Sequence, residues 1–345
     1  MLKVLTMVRS FLQYFAVQTT LLNTTGNDLS PEMKTFYDMT LLDYAQAALV
    51  HDQFGQKRPI PKNGGKQIEF RAFTPLAKAL TALTEGVTPN GNILDVTTIT
   101  AQVAQYGDFI VQSDVLELTA IDNTVLEATK LLGRQAGLTL DTITRNVLVA
   151  GTNVMYCPKI NASTSAETEV TSRANLDATA VLTVDMVERV VAELRAQNAP
   201  TINGDYVAII HPYVAYDLMR DPDWRDPHKY VDTTNLYEGE IGKIAGVRFV
   251  QTTEAKIWTG TGCPTGLAVF ATLFIGDGAY GVTEVSGGGL QTIVKQKGSA
   301  GTADPLDQRS SVGWKALKTA EILLPTYLIR VESCSKRFSA NAQAN

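Results

Sequence analysis

The stretch from Gln53 to Asp114 constrains the fold most strongly, because it looks like a long arm with too little apolar surface to be stable alone. It begins with residues 57–66, a run so rich in Pro, Gly and charge that we expect neither helix nor core strand there. Two alternating segments follow, at 67–72 and 98–103, each with apolar side chains on one face only. A lone two-stranded hairpin is at best marginally stable in water. Either the rest of the chain or another copy of it must hold this arm.

Charge is unevenly distributed along the arm. Between Gln56 and Lys78 there are six basic residues and one acid, whereas between Ala79 and Asp114 there are four acids and no Lys or Arg. Two limbs that neutralise each other within one chain would gain only about 0–1 kcal/mol per exposed pair. Complementary charges between copies would instead select a partner and its orientation. We favour this second interpretation and predict an assembly interface that contains Lys57, Arg58, Lys66, Glu69, Arg71, Lys78, Glu85 and Asp95.

Composition narrows the class of protein. Hydrophobic residues make up 45% of the chain and charged residues 19%, which is typical of a folded protein. The net charge of −5 argues against a general nucleic-acid binder, whose footprint would be a basic patch. Three histidines and three widely spaced cysteines predict neither a multi-histidine metal site nor a disulfide framework or zinc spacing. No apolar run reaches the length of a membrane span.

The amino-terminal region contains two candidate helices. Residues Met1–Leu22 include Lys3 and Arg9, no acid, and apolar residues at helical spacing. An amphipathic helix that seeks a partner is the favoured interpretation, with a frayed tail or a secretion signal as alternatives. Ser30 followed by Pro31 is a strong helix start, and this second helix is expected to run to about Val50.

The longest helical signal lies between Asp122 and Ala150. Thr124 and Glu127 form a capping box, and an apolar stripe follows until Gly151. A helix of this length would span roughly 40 Å. Two glycines four residues apart, Gly133 and Gly137, lower its helix propensity, so we expect either another element packed closely there or flexing of the rod.

The remainder of the chain mixes helices and strands without a regular βαβ alternation, which predicts an α+β fold. We expect a polar surface loop over Asn153–Asp177 and a helix capped by Thr183. A buried strand over Tyr206–Ile210 and a short helix over Pro212–Met219 should follow. Further strands are predicted at 246–251, 267–275, 281–285, 290–294, 310–317 and 327–332.

Three constellations could carry chemistry, and each has a simpler explanation. Gly276–Gly281 matches a dinucleotide fingerprint but is followed by a strand instead of a helix, so a β-turn is favoured. Residues Asp221–His228 miss the spacing of a calcium loop and suit a solvated loop, in which Trp224 is either an exposed contact or a cover over the core. We include Trp224 in the predicted interface. No motif links Cys157 to His211, so we predict no catalytic, cofactor-binding or metal site.

Several short motifs, taken in order, resemble the major capsid proteins of tailed bacteriophages, which have the HK97-like fold. The similarity is greatest to the podovirus-type coat proteins within them and covers about Leu29 to Glu332, whereas Met1–Thr25 departs from it. The motifs are Leu29–Tyr37, His51–Gln56, Lys62–Lys66, Leu83–Pro89, His211–Pro212, Glu240–Gly242 and Gly246–Phe249.

The resemblance implies a division of the chain. It comprises an N-terminal arm (1–52), an extended loop (53–114), a peripheral domain (115–202) with a spine helix (122–150), an axial domain (203–289) and a return to the peripheral domain (290–345).

The resemblance also implies a function without enzymatic activity or cofactor. Copies would assemble into pentamers and hexamers that form an icosahedral shell around double-stranded DNA. The partners would be other copies, the portal and other virion proteins, and DNA held without sequence-specific binding, with no membrane involved. The protein would be assembled in the host bacterial cytoplasm and reside in the virion. A virion decoration or binding module is the alternative, and a cytoplasmic α+β enzyme is less favoured.

Overall fold

The structure is a computed structural model of the 345-residue chain. It describes residues 39–45, 49–59, 66–73, 76, 78–82, 85–86, 88, 91–94, 96–119, 124–161, 166–224, 242–283, 290–299 and 304–345. The first predicted helix, Met1–Leu22, and the start of the second lie outside these residues.

Helices and strands alternate irregularly along the chain. The helices are α1 at 39–45, α2 (Asp114–Thr119), α3 (Thr124–Val149), α4 (Val184–Ala196) and α5 (Pro212–Leu218). The strands before α4 are β1 (Gln56–Arg58), β2 (Gln67–Phe73), β3 (Val96–Gln102), β4 (Ala104–Ser113), β5 (Val154–Tyr156), β6 (Lys159–Ile160) and β7 (Glu167–Thr168). The later strands are β8 (Tyr206–Ile210), β9 (Lys243–Ile244), β10 (Val247–Gln251), β11 (Ile257–Trp258), β12 (Val269–Ile275), β13 (Tyr280–Thr283), β14 (Leu290–Lys295), β15 (Arg309–Lys318), β16 (Ala320–Ile322) and β17 (Leu328–Ser333).

The chain divides into two compact units. The first contains the described residues up to Tyr44 together with Gly107–Arg134 and Gln291–Lys315, and the second contains Ala45–Tyr106, Gln135–Leu290 and Ala316–Asn345.

A three-stranded sheet in the order β14–β15–β4 contributes most of its residues to the first unit. Helix α1 lies against α3 in the same unit, where Gly133 allows a close approach. A Cβ at Gly133 would lie 2.9 Å from the carbonyl oxygen of Leu41. The expectation that another element packs closely on this glycine is confirmed.

The second unit is built on a mixed sheet with the order β5–β17–β12–β8–β10–β9, in which β11 also pairs with β12. Strands β8 and β12 are buried along their whole length because both faces of the sheet are covered. Ala208, Ile210 and Phe274 pack on the side of α4. Ile209 and Leu273 point to the opposite side and pack with Leu148 of α3. This period of two places the core of the unit on both faces of one sheet.

A buried carboxylate ties the end of α3 to this sheet. Glu332 is fully buried and accepts two hydrogen bonds from Arg173, at 2.6 Å each, and one from Nε of Arg330 at 3.0 Å. The guanidinium of Arg173 stacks 3.7 Å from the ring centroid of Trp258. Arg330 also donates to the carbonyl oxygens of Val149 and, at 3.2 Å, Gly151. These carbonyls lie at the C-terminal end of α3, where a cation is favourable.

Most predicted elements are present, and three differences have a clear physical reason. The predicted helices that begin at Thr124, Thr183 and Pro212 are observed, and the Thr183 side chain accepts a hydrogen bond from Met186 as expected. Where neither helix nor core strand was expected, Lys57 and Arg58 belong to the short edge strand β1, which is not buried and forms because it pairs with β13. The predicted loop over Asn153–Asp177 is wrong for β5, which extends the central sheet next to β17. Strand β4 was not expected, because its sequence lacks a clear alternation.

Candidate assembly interface

The predicted arm is a β-hairpin with one apolar and one polar face. Strands β2 and β3 pair antiparallel, with Ile68 opposite Ala101 and Phe70 opposite Ile99. Ile68, Phe70 and Ala101 are buried, as the alternation predicted. The polar side chains occupy the other face, on which Arg71 is opposite Thr98.

The lower part of this hairpin packs against the rest of the second unit, to which it belongs. Ile68, Phe70 and Ala101 form a buried cluster with Leu323. The ring of Phe70 covers Gly281 of β13, where a Cβ would lie 3.0 Å from Cζ and closer still to Cδ1 and Cε1. The rest of the chain therefore supplies the support that an isolated hairpin lacks.

The described residues in the far part of the arm are much more exposed. We call residues 76–94 the distal arm. Among its described residues the large apolar side chains are strongly exposed, and the exposed fractions are 60% for Leu76, 86% for Leu80, 88% for Ile93 and 61% for Leu94. Large apolar side chains at these exposures are typical of surfaces that are covered in an assembly.

The charged residues of the predicted interface are spread along the arm and its base. Lys57, Lys66, Glu69, Arg71, Lys78 and Glu85 are exposed, Arg58 is half-buried, and Asp95 lies outside the described residues. Among the residues that the structure describes, no ion pair joins the basic limb to the acidic one.

A buried polar cluster lies beneath the arm root, which we define as residues 51–58. The main-chain N–H of His51 donates to Oδ1 of Asp141 at 2.7 Å, and its Nδ1 lies 2.7 Å from Oδ2 of the same carboxylate. Asp52 accepts a hydrogen bond from Thr144 at 2.6 Å and pairs with Lys318. Burial lowers the pKa of the Lys318 amine, and the charge and hydrogen bond of Asp52 oppose this shift. The pattern of apolar residues gave no sign of this cluster, because its members are polar and charged side chains from three segments that are far apart in sequence.

The first unit also exposes apolar side chains. Exposed fractions are 62% for Met39, 66% for Phe109 and 64% for Leu131. Phe109 borders an open hollow of about 260 Å³ in the sheet of this unit, which is also lined by Ile293 and Trp314. Among the described residues, strongly exposed apolar side chains therefore occur in this unit as well as in the distal arm.

The sequence matches a known family over most of its length. A model of the family described as phage capsid protein matches residues 12–297. The chain belongs to the phage capsid protein family. The match starts at residue 12, so the expectation that similarity begins near Leu29 is wrong. No curated protein matches the chain.

Solved phage capsids have the same fold as this capsid protein. The capsid of Ralstonia phage GP4 is 12% identical, with a TM-score of 0.65 over 94% of this chain and 98% of that one. The capsid of cyanophage Pam1 is 13% identical, with a TM-score of 0.62 over 93% and 98%. The capsid of cyanophage P-SCSP1u is 15% identical, with a TM-score of 0.60 over 91% and 93%. The predicted HK97-like fold is confirmed, and family and fold identify a major capsid protein that forms the phage shell.

Trp224 of the capsid protein has to be removed from the predicted interface. Its side chain is only 4% exposed and packs edge-on against Phe249, with ring centroids 5.5 Å apart. Of the two interpretations left open by the sequence, the cover over the core is confirmed and the exposed contact is wrong.

The residues that could have carried chemistry have structural roles in the capsid protein. Within Gly276–Gly281, residues 276–279 form the turn that connects β12 to β13, and Gly278 in this turn has a φ of +71°. Asp221 accepts hydrogen bonds from the main chain of Val184 and Asp223, at 3.0 and 3.1 Å. Asp226 and His228 lie outside the described residues.

Cys157 and His211 are also explained by packing. Burial raises the pKa of the Cys157 thiol far above its ordinary value, so the thiol stays neutral. Burial lowers the pKa of His211 to about 4, and its Nδ1 accepts a hydrogen bond from the N–H of Tyr213 at the start of α5. None of the helices among the described residues has the length and apolarity needed to cross a bilayer.

Proposed function

We propose that copies of this capsid protein close into pentamers and hexamers by laying the distal arm of one subunit on its neighbour. These rings then tile an icosahedral shell around double-stranded DNA. Head-to-tail contacts of this kind generate closed rings when the rotation between copies closes.

The distal arm is the observation that carries the proposal. Leu80 and Ile93 are 86% and 88% exposed, whereas Phe70 at the base of the same hairpin is fully buried. Covering apolar surface releases roughly 25 cal/mol per Å². A neighbouring copy is the partner that is always present during assembly, and its approach would cover these side chains.

The neighbour also offers an apolar surface. The hollow beside Phe109, Ile293 and Trp314 lies in the first unit, which has several strongly exposed apolar side chains. Two apolar regions on one chain, the distal arm and this hollow, suit an interface that pairs different surfaces of successive copies.

The charges of the arm would orient this contact. Lys66 and Arg71 are exposed on the basic limb and Glu85 on the acidic one. Arg71 is opposite Thr98 in the hairpin, so its charge is not met by an acid across the strand pair. Complementary charges between copies fix orientation and partner choice more than they add affinity.

Other parts of the proposal concern the virion as a whole. The subunit acts without enzymatic turnover, assembles in the cytoplasm of the host bacterium, and contacts the portal and other virion proteins. Its net charge of −5 suits a shell that encloses DNA without binding it tightly.

Assembly of a distal-arm variant tests the proposal. The variant carries Leu80→Asp and Ile93→Asp, which place charge on the two most exposed large apolar side chains among the described residues of the arm. We expect a folded subunit that no longer forms particles, as measured by light scattering and electron microscopy. The matched control carries Leu80→Met and Ile93→Val, which keep the surface apolar, and should assemble like the wild type. Normal particles from the Asp variant, or a wild type that stays monomeric under all assembly conditions, would contradict the proposal.

A further inference from the structure

The arm root is held by contacts that are unusually polar for a buried position. His51 and Asp52 are 0% and 6% exposed, and their partners Asp141, Thr144 and Lys318 are 1% exposed or less. Buried charges are costly to remove from water, and their mutual attraction does not always compensate for this cost. An apolar set of similar volume is often as stable as such a pair or more stable. The cluster therefore calls for a role other than stability alone.

The cluster fixes two consecutive residues from three directions. Asp141 and Thr144 lie three residues apart on α3, so they face the root from one side of that helix. Lys318 reaches Asp52 from the end of β15. The hydroxyl of Tyr280, at the start of β13, donates to the main-chain carbonyl of His51. Because these hydrogen bonds are directional, they fix the orientation of the main chain at the root as well as its distance from α3, β15 and β13.

Strand β1, which follows the cluster, does not by itself fix its register on β13. Strand β1 has only three residues, Gln56, Lys57 and Arg58, and pairs parallel with Gly281, Val282 and Thr283 of β13. Register is weakly specified in polar or glycine-containing strands, because a slip buries or exposes no apolar side chain. A slip of one residue here would exchange the two faces of β1 and shift the position from which the chain continues towards the arm.

Contacts on either side of β1 complete the arrangement. Gly55 lies beneath the ring of Tyr280, where a Cβ would come within 2.5 Å of Cε2. Gly281 lies beneath Phe70 of the arm in the same way. Asp52, the last residue of the root in the polar cluster, lies four residues before the first residue of β1, and the aromatic contacts continue from there into the arm.

We propose that His51, Asp52, Asp141 and Lys318 are positioning residues that set the register of β1 on β13 and with it the direction of the arm. The proposal rests on the proposed function, because a set direction matters only if the arm must meet a neighbour. Loss of the cluster leaves the subunit folded but lets the root slip, so arms no longer point to the same place.

A charge-free variant separates positioning from stability. Asp52→Asn with Lys318→Met removes both charges and keeps similar side-chain volumes. We expect an unchanged or higher thermal midpoint, about tenfold faster hydrogen exchange of the β1 amides, and about tenfold fewer particles. The matched control, Glu169→Gln with Arg189→Met, removes an ion pair of 2.6 Å whose side chains are 65% and 37% exposed, and should change none of these.

The outcomes are distinguishable. Wild-type exchange and wild-type particle yield in the charge-free variant would overturn the positioning role. If that variant does not fold, Asp141→Asn provides the same test, because Asn keeps the acceptor for the N–H of His51 and loses the charge. Wild-type exchange at β1 in Asp141→Asn would likewise refute the role. A wild type that forms no particles would refute the proposed function, while the exchange comparison on subunits still decides the positioning role.

Discussion

The contact between Phe70 and Gly281 gives a sharp prediction about how the arm is attached. A Cβ at Gly281 would lie 3.0 Å from Cζ of Phe70 and closer still to two other ring carbons, whereas ordinary Cβ contacts are 3.4–4 Å. Phe70 is fully buried, so its ring has no free space into which it can withdraw. Overpacking of this kind costs about 1–3 kcal/mol. Gly281→Ala should therefore destabilise the subunit by that amount and lower its thermal midpoint by roughly 2–4 °C per kcal/mol.

A double-mutant cycle shows whether the ring is the cause. Phe70→Leu removes the ring atoms that Gly281→Ala would meet, so the double variant should be little less stable than Phe70→Leu alone. The coupling energy between the two positions should be about 1 kcal/mol or more, measured by urea denaturation. Gly91→Ala is the control, because no atom lies within 4 Å of its added Cβ. A coupling energy near zero, or no loss of stability in Gly281→Ala, would refute this account of the arm's attachment.

Two further predictions concern the body of the subunit. Since burial lowers the pKa of His211 to about 4, the unfolded state takes up a proton near pH 6.5 before the folded state does. Between pH 7 and pH 5 the free energy of unfolding of the wild type should thus fall by about 2 kcal/mol more than that of His211→Asn, as measured by urea titration. Asn is the chosen replacement because it keeps the helix cap. An equal pH dependence of the two stabilities would contradict this prediction. Glu332→Gln leaves Arg173 and Arg330 without their shared carboxylate and should lower the free energy of unfolding by about 3–5 kcal/mol in the same assay. The control is Glu127→Gln, whose native side chain is 59% exposed, and it should change stability by less than about 1 kcal/mol.

Features with a strong local pattern could be predicted from the sequence. Helix α3 was predicted within two residues at either end, because its capping box, apolar stripe and closing glycine are all encoded locally. The two faces of β2 and β3 followed from alternation alone. The family was also recognised, because it depends on several short motifs in a fixed order.

Features that depend on distant partners could not be predicted. Strand β1 consists of Gln, Lys and Arg, and only its pairing with residues more than two hundred positions away makes it a strand. Asp52 and Lys318 are residue types that normally lie at the surface, so nothing local indicated that they are buried together. Trp224 lies in a polar stretch, and its burial depends on Phe249 of another element.

The end of α3 has a mechanical consequence for a container. Helix α3 has 26 residues, which corresponds to a rod of roughly 39 Å. Arg330 donates hydrogen bonds to carbonyl oxygens at the C-terminal end of that helix. It belongs to β17, which is hydrogen-bonded to a strand on each side within the central sheet. Tension along the rod would therefore be shared between the connecting turn at Gly151 and several strands of the sheet. A wall made of such subunits would resist outward pressure through its sheets, and Glu332→Gln particles should burst at a lower load than wild-type particles.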